Sequence, residues 1–210
     1  MSTGKFITFE GPDGSGKTTV STAVTEKLQA DGYRVIYTRE PGGSEIAEQI
    51  RNVILKPENT AMDVRTEALL YAASRRQHLV EVILPALKQG IHVISDRFID
   101  SSLAYQGVGR GIGIQAVYDI NQFAIENHMP DKTIFLNIDA ETGLDRISHH
   151  RAYLDRLDQE KLSFHQAVYD GYQQVISKYR ERMILIDASK PVEEVIQNAY
   201  EAVKGILDGD

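Results

Sequence analysis

Short hydrophobic runs recur along the chain, each bounded by turn-forming or polar residues. Their length and their content of Ile, Val, Phe and Leu are typical of strands that are buried on both faces of a parallel sheet. The pattern predicts strands at Phe6–Phe9, Val35–Thr38, His92–Ser95, Thr133–Asn137 and Met183–Asp187.

Longer stretches with helical periodicity separate these runs. The predicted helices are Lys17–Ala30, Ser44–Leu55, Asp63–Leu87, Gln115–Asn127, Glu141–Ser148, Leu162–Tyr179 and Pro191–Leu207. Strands that alternate with helices favour an α/β fold in which right-handed crossovers build an open, five-stranded parallel sheet. An α+β arrangement is the alternative that this pattern leaves open.

Composition narrows the class of protein. The chain has 210 residues and no low-complexity tract, so we expect a single domain over residues 1–210. A net charge of −7 argues against a nucleic-acid surface, and the absence of cysteine excludes disulfides and thiolate metal sites. No run reaches the roughly 18 apolar residues that a membrane span needs, and no signal sequence is evident. We therefore expect no membrane partner and a cytoplasmic location.

The first predicted strand and helix are joined by GPDGSGKTT, residues 11–19. Gly11, Gly16, Lys17 and Thr18 match the phosphate-binding P-loop pattern, in the strand–loop–helix context that the pattern requires. Glycines let backbone N–H groups converge on phosphate oxygens, Lys17 would reach the β- and γ-phosphates of ATP, and Thr18 would ligate Mg²⁺. A plain tight turn is the alternative. The predicted cradle comprises Gly11, Pro12, Asp13, Gly14, Ser15, Gly16, Lys17, Thr18 and Thr19.

The rest of the chain favours a phosphotransferase among P-loop proteins. The Asn-Lys-x-Asp sequence that reads the base in GTPases does not occur. Polar segments follow two predicted strands and lie on the third predicted helix, at the sheet edge where ligands usually bind. These segments are TREPGG (38–43), SDRFIDSSLAYQG (95–107) and TEALLYAASRRQH (66–78).

Five motifs in order resemble those of the thymidylate kinase family. They are FEGPDGSGKTT, TREPGG, RTEALLYAASRR, DRFIDSSLAYQG and RLDQE. The resemblance implies a P-loop kinase fold, a three-layer sandwich with a short lid, that transfers the γ-phosphoryl group of ATP to dTMP with Mg²⁺. It also implies a homodimer.

For the phosphates, the resemblance implies three groups of residues. Asp96 would hold Mg²⁺ or orient the attacking phosphate, although it could instead cap a helix. Arg39 and Arg97 resemble the clamp on the acceptor phosphate, and Arg51 is a weaker member of the same set. Each arginine could equally belong to a surface ion pair.

For the acceptor base, Tyr71 and Arg75 are four residues apart and so share a helix face. In the family an aromatic side chain at this point stacks on thymine and the arginine donates to a ring carbonyl, whereas a plain core tyrosine is the alternative. Ser102 and Gln106 resemble the residues that read the pyrimidine edge.

For the sugar, Tyr105 resembles the family residue that crowds the 2′ position, and Asp13 resembles the acid that accepts the 3′-hydroxyl.

The charged segment 148–161 fits no regular element and is predicted to be the lid. The P-loop has no arginine among its variable positions, and family members of that kind place a basic residue in the lid. Arg151 and Arg156 are the candidates, with Arg156 preferred, to stabilise charge on the transferring phosphoryl group. A solvated loop is the alternative, and His149 and His150 are expected to be solvated rather than to bind a metal.

Two other functions stay open. The acceptor could be another nucleoside monophosphate or an unphosphorylated deoxynucleoside. The chain could also be a nucleotide-dependent switch, which would hydrolyse ATP slowly without an acceptor.

Overall fold

The computed structural model describes residues 3–150 and 155–209. Five parallel strands form one sheet in the order β2-β3-β1-β4-β5. They are β1 (Phe6–Glu10), β2 (Val35–Arg39), β3 (His92–Asp96), β4 (Lys132–Asn137) and β5 (Met183–Asp187). The predicted α/β class, strand number and parallel direction are confirmed.

Helices cover both faces of the sheet. The α-helices are α1 (Lys17–Ala30), α2 (Glu45–Leu55), α3 (Val64–His78), α4 (Leu84–Lys88), α5 (Ile99–Ser102), α6 (Ile114–Ile125), α7 (Ala140–His150), α8 (Leu162–Lys178) and α9 (Val192–Asp208). Two π-helical segments, Leu79–Ile83 and Leu103–Gly109, continue α3 and α5, and a 3₁₀ turn spans Arg180–Arg182.

Strand side chains alternate between two hydrophobic cores, as the two-residue period of a strand requires. In β1, Ile7 and Phe9 belong to the core that α1 and α9 complete. Phe6 belongs to the opposite core, which contains Leu79 and Leu103. Helices therefore lie on both faces of the sheet, which gives three layers.

The predicted helix over 63–87 is interrupted. Its last part is the π-helical segment Leu79–Ile83 followed by α4, which contains Pro85. Proline lacks an N–H group and its ring clashes with the carbonyl four residues earlier, so a widened turn before it relieves the clash. Proline thus changes the helix type here without ending the helical path.

Helix ends differ slightly from the predicted bounds. The helix predicted over 115–127 ends at Ile125, because Glu126 and Asn127 adopt left-handed φ values of 48° and 66°. Asp139 accepts a hydrogen bond from Thr142 N at 2.8 Å, as an N-cap does. Helix α7 extends to His150 and so includes the start of the predicted lid.

Within the part of the chain that the structure describes, no helix combines the length and hydrophobicity needed to cross a bilayer.

Candidate active site

The loop between β1 and α1 has the conformation of a phosphate cradle. Gly14 and Gly16 have φ values of 77° and 87°, which side chains other than glycine rarely adopt. A Cβ atom at Gly14 would lie 2.0 Å from the carbonyl oxygen of Gly143 on α7. Helix α1 begins directly after Gly16, so its free N-terminal N–H groups face the carboxyl edge of the sheet.

Lys17 is held inside this loop. Its Nζ donates to the carbonyl oxygen of Pro12 at 2.7 Å and to Ser15 Oγ at 3.3 Å. Burial, together with the charge of Arg97, lowers the pKa of Lys17 to about 8. Both acceptors are neutral, so an anion bound at the loop would stabilise the ammonium group.

Thr18 and Asp96 meet where β1 and β3 end side by side. Thr18 Oγ1 donates to Asp96 Oδ2 at 2.5 Å. The other carboxylate oxygen, Asp96 Oδ1, is buried and has no hydrogen-bond partner among the described residues. A hydroxyl and an unsatisfied carboxylate oxygen are the hard oxygen ligands that Mg²⁺ prefers. Within residues 3–150 and 155–209, no group of three or more His, Cys, Asp or Glu residues could hold a metal ion, so nucleotide oxygens would complete such a site.

Arg97 lies between the P-loop and the neighbouring tyrosines. Its φ of 73° is uncommon for a residue with a side chain and indicates local backbone strain. The guanidinium donates to Asp13, to Ser101 Oγ at 2.9 Å and to Tyr105 OH at 3.3 Å. Tyr105 OH in turn donates to Asp13 Oδ2 at 2.7 Å. Arg97, Asp13 and Tyr105, predicted separately, therefore form one cluster.

Arg39 and Arg51 come together at the end of β2. Nη1 of each donates to the carbonyl oxygen of Pro41, at 3.1 Å from Arg39 and at 2.7 Å from Arg51. Arg39 also pairs with Glu48 at 3.0 Å. Burial and the nearby charge of Arg39 lower the pKa of Arg51. Two cations at one carbonyl leave positive charge available for an acceptor phosphate.

Arg75 is fully buried, and its four partner residues come from three separate segments. Nε donates to Glu40 Oε2 at 2.7 Å, Nη1 to Ser102 Oγ at 3.1 Å and to Asn121, and Nη2 to the Phe98 carbonyl at 2.9 Å. These bonds use four of its five N–H groups. A cavity of about 640 Å³ lies at this site, and Arg75 and Ser102 are buried behind its wall rather than on its surface. The family resemblance predicts that both contact the acceptor base, whereas neither lines the cavity.

Glu40 is the centre of that wall. Its second oxygen, Oε1, lies 3.0 Å from His78 Nδ1, and His78 Nε2 lies 2.6 Å from Thr38 Oγ1. His78 and Glu40 are buried. Glu40 and His78 were not predicted from the sequence, because neither belongs to a spacing pattern, although both lie within the quoted segments.

A second buried acid, Glu10, is linked to Arg97 through Ser101, which both side chains contact. Glu10 Oε1 accepts from Phe98 N at 2.7 Å, and Oε2 accepts from Ser101 Oγ at 2.6 Å. Burial, together with the charge of Asp100, raises the pKa of Glu10 to about 7. Glu10 could have been found from the sequence, since it is a charged residue at the end of an otherwise mainly hydrophobic strand.

The two lid arginines have different outcomes. Arg156 donates from Nη2 to Glu67 at 2.6 Å and from Nε to the carbonyl oxygen of Ile54 at 2.9 Å, and it is 8% exposed. It does not line the cavity. This placement differs from the predicted role at the transferring phosphate, because the buried carboxylate of Glu67 binds the guanidinium. Arg151 lies outside the described residues.

One cavity of about 640 Å³ joins these parts. Of the predicted cradle residues, Asp13, Gly14, Gly16, Lys17, Thr18 and Thr19 line it. The predicted acceptor and metal residues that line it are Arg39, Arg51, Tyr71, Asp96, Arg97, Tyr105 and Gln106. Arg146 on α7 and Val192 on α9, which were not predicted from the sequence, line it as well.

Comparisons with known proteins agree with this geometry. The sequence profile described as thymidylate kinase matches residues 9–199. A thymidylate kinase of Bacillus velezensis is 58% identical over 205 residues, which cover 97% of each chain. That of Geobacillus sp. (strain WCH70) is 53% identical over 207 residues, or 98% of this chain and 99% of the relative.

A solved structure is also similar. The crystal structure of thymidylate kinase from Ehrlichia chaffeensis superposes with a TM-score of 0.77 at 33% identity. The match covers 96% of this chain and 99% of the other. With a profile that spans most of the chain and relatives above half identity, the chain belongs to the thymidylate kinase family.

Proposed function

We propose that the chain transfers the γ-phosphoryl group of ATP to the 5′-phosphate of dTMP, giving dTDP and ADP, by bringing both substrates into the single cavity described above. The observation that carries the proposal is the lining of that cavity. Lys17 and Thr18 of the phosphate cradle line the same cavity as the three arginines Arg39, Arg51 and Arg97. A donor triphosphate and an acceptor phosphate can therefore meet there.

The donor phosphates bind the P-loop backbone N–H groups and Lys17. Mg²⁺, when bound with ATP, neutralises phosphate charge, and Thr18 and Asp96 are the residues that would hold it. The unsatisfied Asp96 Oδ1 supports this assignment. Arg146 and Val192 lie on α7 and α9, where the base of ATP would bind, and a guanidinium can stack on an aromatic ring.

The acceptor phosphate binds Arg39, Arg51 and Arg97. Arg97 also keeps Asp13 beside Tyr105, where the two side chains would contact the sugar. Tyr71 lines the base end of the cavity, and burial raises the pKa of its hydroxyl, so it stays a neutral stacking ring.

A phosphate is already a competent nucleophile, so the reaction needs no strong general base. Catalysis consists of holding the two phosphates in line and neutralising the charge between them. Arg97 provides a fixed positive charge on the acceptor side, and Lys17 provides one on the donor side. We assign to Arg151 the lid charge that stabilises the transferring phosphoryl group, since Arg156 is bound to Glu67.

ADP release at fixed MgATP tests the reaction with dTMP, dUMP, dCMP, dGMP, AMP, thymidine or no acceptor. Fast release with dTMP, weaker release with dUMP and release near background with the others is the expected result. Release that is independent of acceptor would favour a nucleotide-dependent switch and overturn the proposal.

We also propose a homodimer through the face formed by α2, α3 and α6, three helices that pack side by side. Large apolar side chains are exposed there, including Phe123 at 90%, Leu69 at 56% and Ile46 at 48%. A second copy would remove them from water. Phe123→Glu should give a monomer in analytical ultracentrifugation, whereas Leu162→Glu, at the exposed start of α8, should remain a dimer. An unchanged Phe123→Glu dimer would exclude this face.

The proposed location is the cytoplasm. A chain without cysteine needs no oxidising compartment.

A further inference from the structure

Glu67 is a buried acid whose partners come from distant parts of the chain. It lies on α3 with 1% of its surface exposed. Its carboxylate accepts from Gln106 Nε2 at 2.9 Å, from Arg110 Nε at 3.2 Å and from Arg156 Nη2 at 2.6 Å. Arg110 also pairs with Glu160 at 2.6 Å. Two cations and one amide therefore surround a single carboxylate.

The charge state of Glu67 follows from these partners. Burial alone would raise the pKa of Glu67, but hydrogen bonds from Gln106 and Arg110 outweigh burial and lower the pKa below its ordinary value. An ionised carboxylate only accepts hydrogen bonds. The side of the Gln106 amide that faces Glu67 must therefore be its NH₂ group.

The orientation of Gln106 has a consequence at the cavity. With one Nε2 proton bound to Glu67, the carbonyl oxygen Oε1 is the amide acceptor left for a ligand. Oε1 accepts no hydrogen bond from the described residues, and Gln106 lines the cavity beside Tyr71. The part of the cavity proposed to bind the base thus presents a hydrogen-bond acceptor, Gln106 Oε1.

We propose that Glu67 is a positioning residue that keeps the carbonyl oxygen of Gln106 directed at the acceptor base and so selects a pyrimidine with an N3–H group. Thymine and uracil carry a donor at N3, whereas N3 of cytosine is an acceptor and would face the Gln106 oxygen without a proton. A flipped amide would suit cytosine but would direct Oε1 at the Glu67 carboxylate. This inference rests on the proposed function, since it concerns the acceptor base.

The matched probes are dTMP and 5-methyl-dCMP, which share the 5-methyl group and differ in the hydrogen-bonding pattern at N3 and C4. In Glu67→Gln the amide of Gln106 can turn, because the partner side chain now offers both a donor and an acceptor. The ratio of kcat/KM for dTMP to that for 5-methyl-dCMP should fall about tenfold. Arg110→Met is the control: it removes a cation from Glu67 but leaves the Gln106 contact, so it should lower Tm and leave the ratio unchanged.

A double-mutant cycle separates this role from a general loss of structure. Gln106→Met removes the amide, so adding Glu67→Gln to it should change the ratio no further. Calorimetric affinities for the two nucleotides should follow the same pattern without turnover. An equal effect of Glu67→Gln with and without Gln106 would overturn the inference. A wild-type chain without dTMP-dependent ADP release would instead overturn the proposed function.

A measurement on the wild-type chain keeps the inference testable if Glu67→Gln does not fold. In nuclear magnetic resonance, the Gln106 side-chain NH₂ protons should exchange slowly with solvent, with and without dTMP, because one of them stays bonded to Glu67. Fast exchange in the dTMP complex would contradict a fixed amide.

Discussion

The phosphate cradle and the base-reading wall of the same cavity are built in opposite ways. The cradle is one contiguous segment, Gly11–Thr19, that offers backbone N–H groups and one lysine. The wall combines side chains from the end of β2, α3 and the π-helical segment Leu103–Gly109. Glu40 lines the cavity, Arg75 and Glu67 lie behind it, and all three are almost completely buried.

This difference has an energetic meaning. A backbone cradle is preorganised by local conformation, so it loses little when one side chain changes. A buried charge network is stable only when every member has its partner, because an unpaired buried charge costs several kcal/mol. Changes in the cradle should therefore reduce activity without reducing stability, and changes in the wall should reduce both.

The largest effect is expected in the cradle. Lys17→Ala should lower kcat at least about 10³-fold, since the only P-loop side-chain cation is lost, and should leave dTMP affinity and Tm nearly unchanged. Steady-state kinetics, calorimetry and thermal melting measure the three quantities. Lys5→Ala, at an exposed lysine, is the control. A collapse of dTMP affinity in Lys17→Ala would remove the separation between the two regions.

Substitutions in the base-reading wall should lower the free energy of unfolding. Glu40→Gln removes the charge that holds Arg75 and should lower the free energy of unfolding in urea by about 3 kcal/mol. Glu126→Gln breaks an exposed pair with Arg76 and should change it by less than about 1 kcal/mol. Equal losses in the two variants would mean that burial does not decide the cost.

Substitutions of the two predicted lid arginines should differ in the same way, one affecting stability and the other activity. Arg156→Ala should lower the free energy of unfolding by about 2 kcal/mol, because it leaves Glu67 with one cation fewer. Arg151→Ala should lower kcat about 10²-fold with little change in stability. The reverse pattern would place Arg156 at the transferring phosphate and return Arg151 to a solvated loop.

The smallest expected effect is a pH dependence of the cradle. With a pKa of about 8, Lys17 loses its proton as pH rises above that value in the free enzyme. The kcat/KM for ATP should then fall by about tenfold per pH unit on the alkaline side. Lys17→Arg keeps its charge, so its lower activity should not decline further above pH 8. A decline that persists in Lys17→Arg would assign the titration to another group.

Sequence patterns predicted the fold because they are repeated signals. Five buried strands alternate with amphipathic helices, and the alternation allows few topologies. The π-helical segment Leu103–Gly109 was not predicted, although it carries Tyr105 and Gln106, because no propensity distinguishes such a turn from a loop. The helix predicted over 63–87 contains a π-helical turn before Pro85, which the periodicity does not distinguish from an ordinary α-helical turn.

Candidate site residues were also found to different degrees. Thirteen predicted residues line one cavity: six in the cradle and seven at the acceptor and metal positions. Arg75, Ser102 and Arg156 do not, since each has buried partners that the sequence does not reveal. Arg146 was missed because a single arginine on a helix has no pattern of its own.

The sequence by itself determined the parallel α/β architecture and the phosphate cradle. Both depend on neighbouring residues: hydrophobic periodicity defines a strand or helix, and glycines at fixed spacing allow the left-handed turns of the loop. Only the tertiary structure decided which polar groups face the cavity and which are hydrogen-bonded and buried behind its wall. Arg156 and Glu67 are 89 residues apart, and Gln106 and Glu67 are 39 apart. Such pairs form because buried charges must find partners wherever the fold brings them together, and no local pattern encodes that choice.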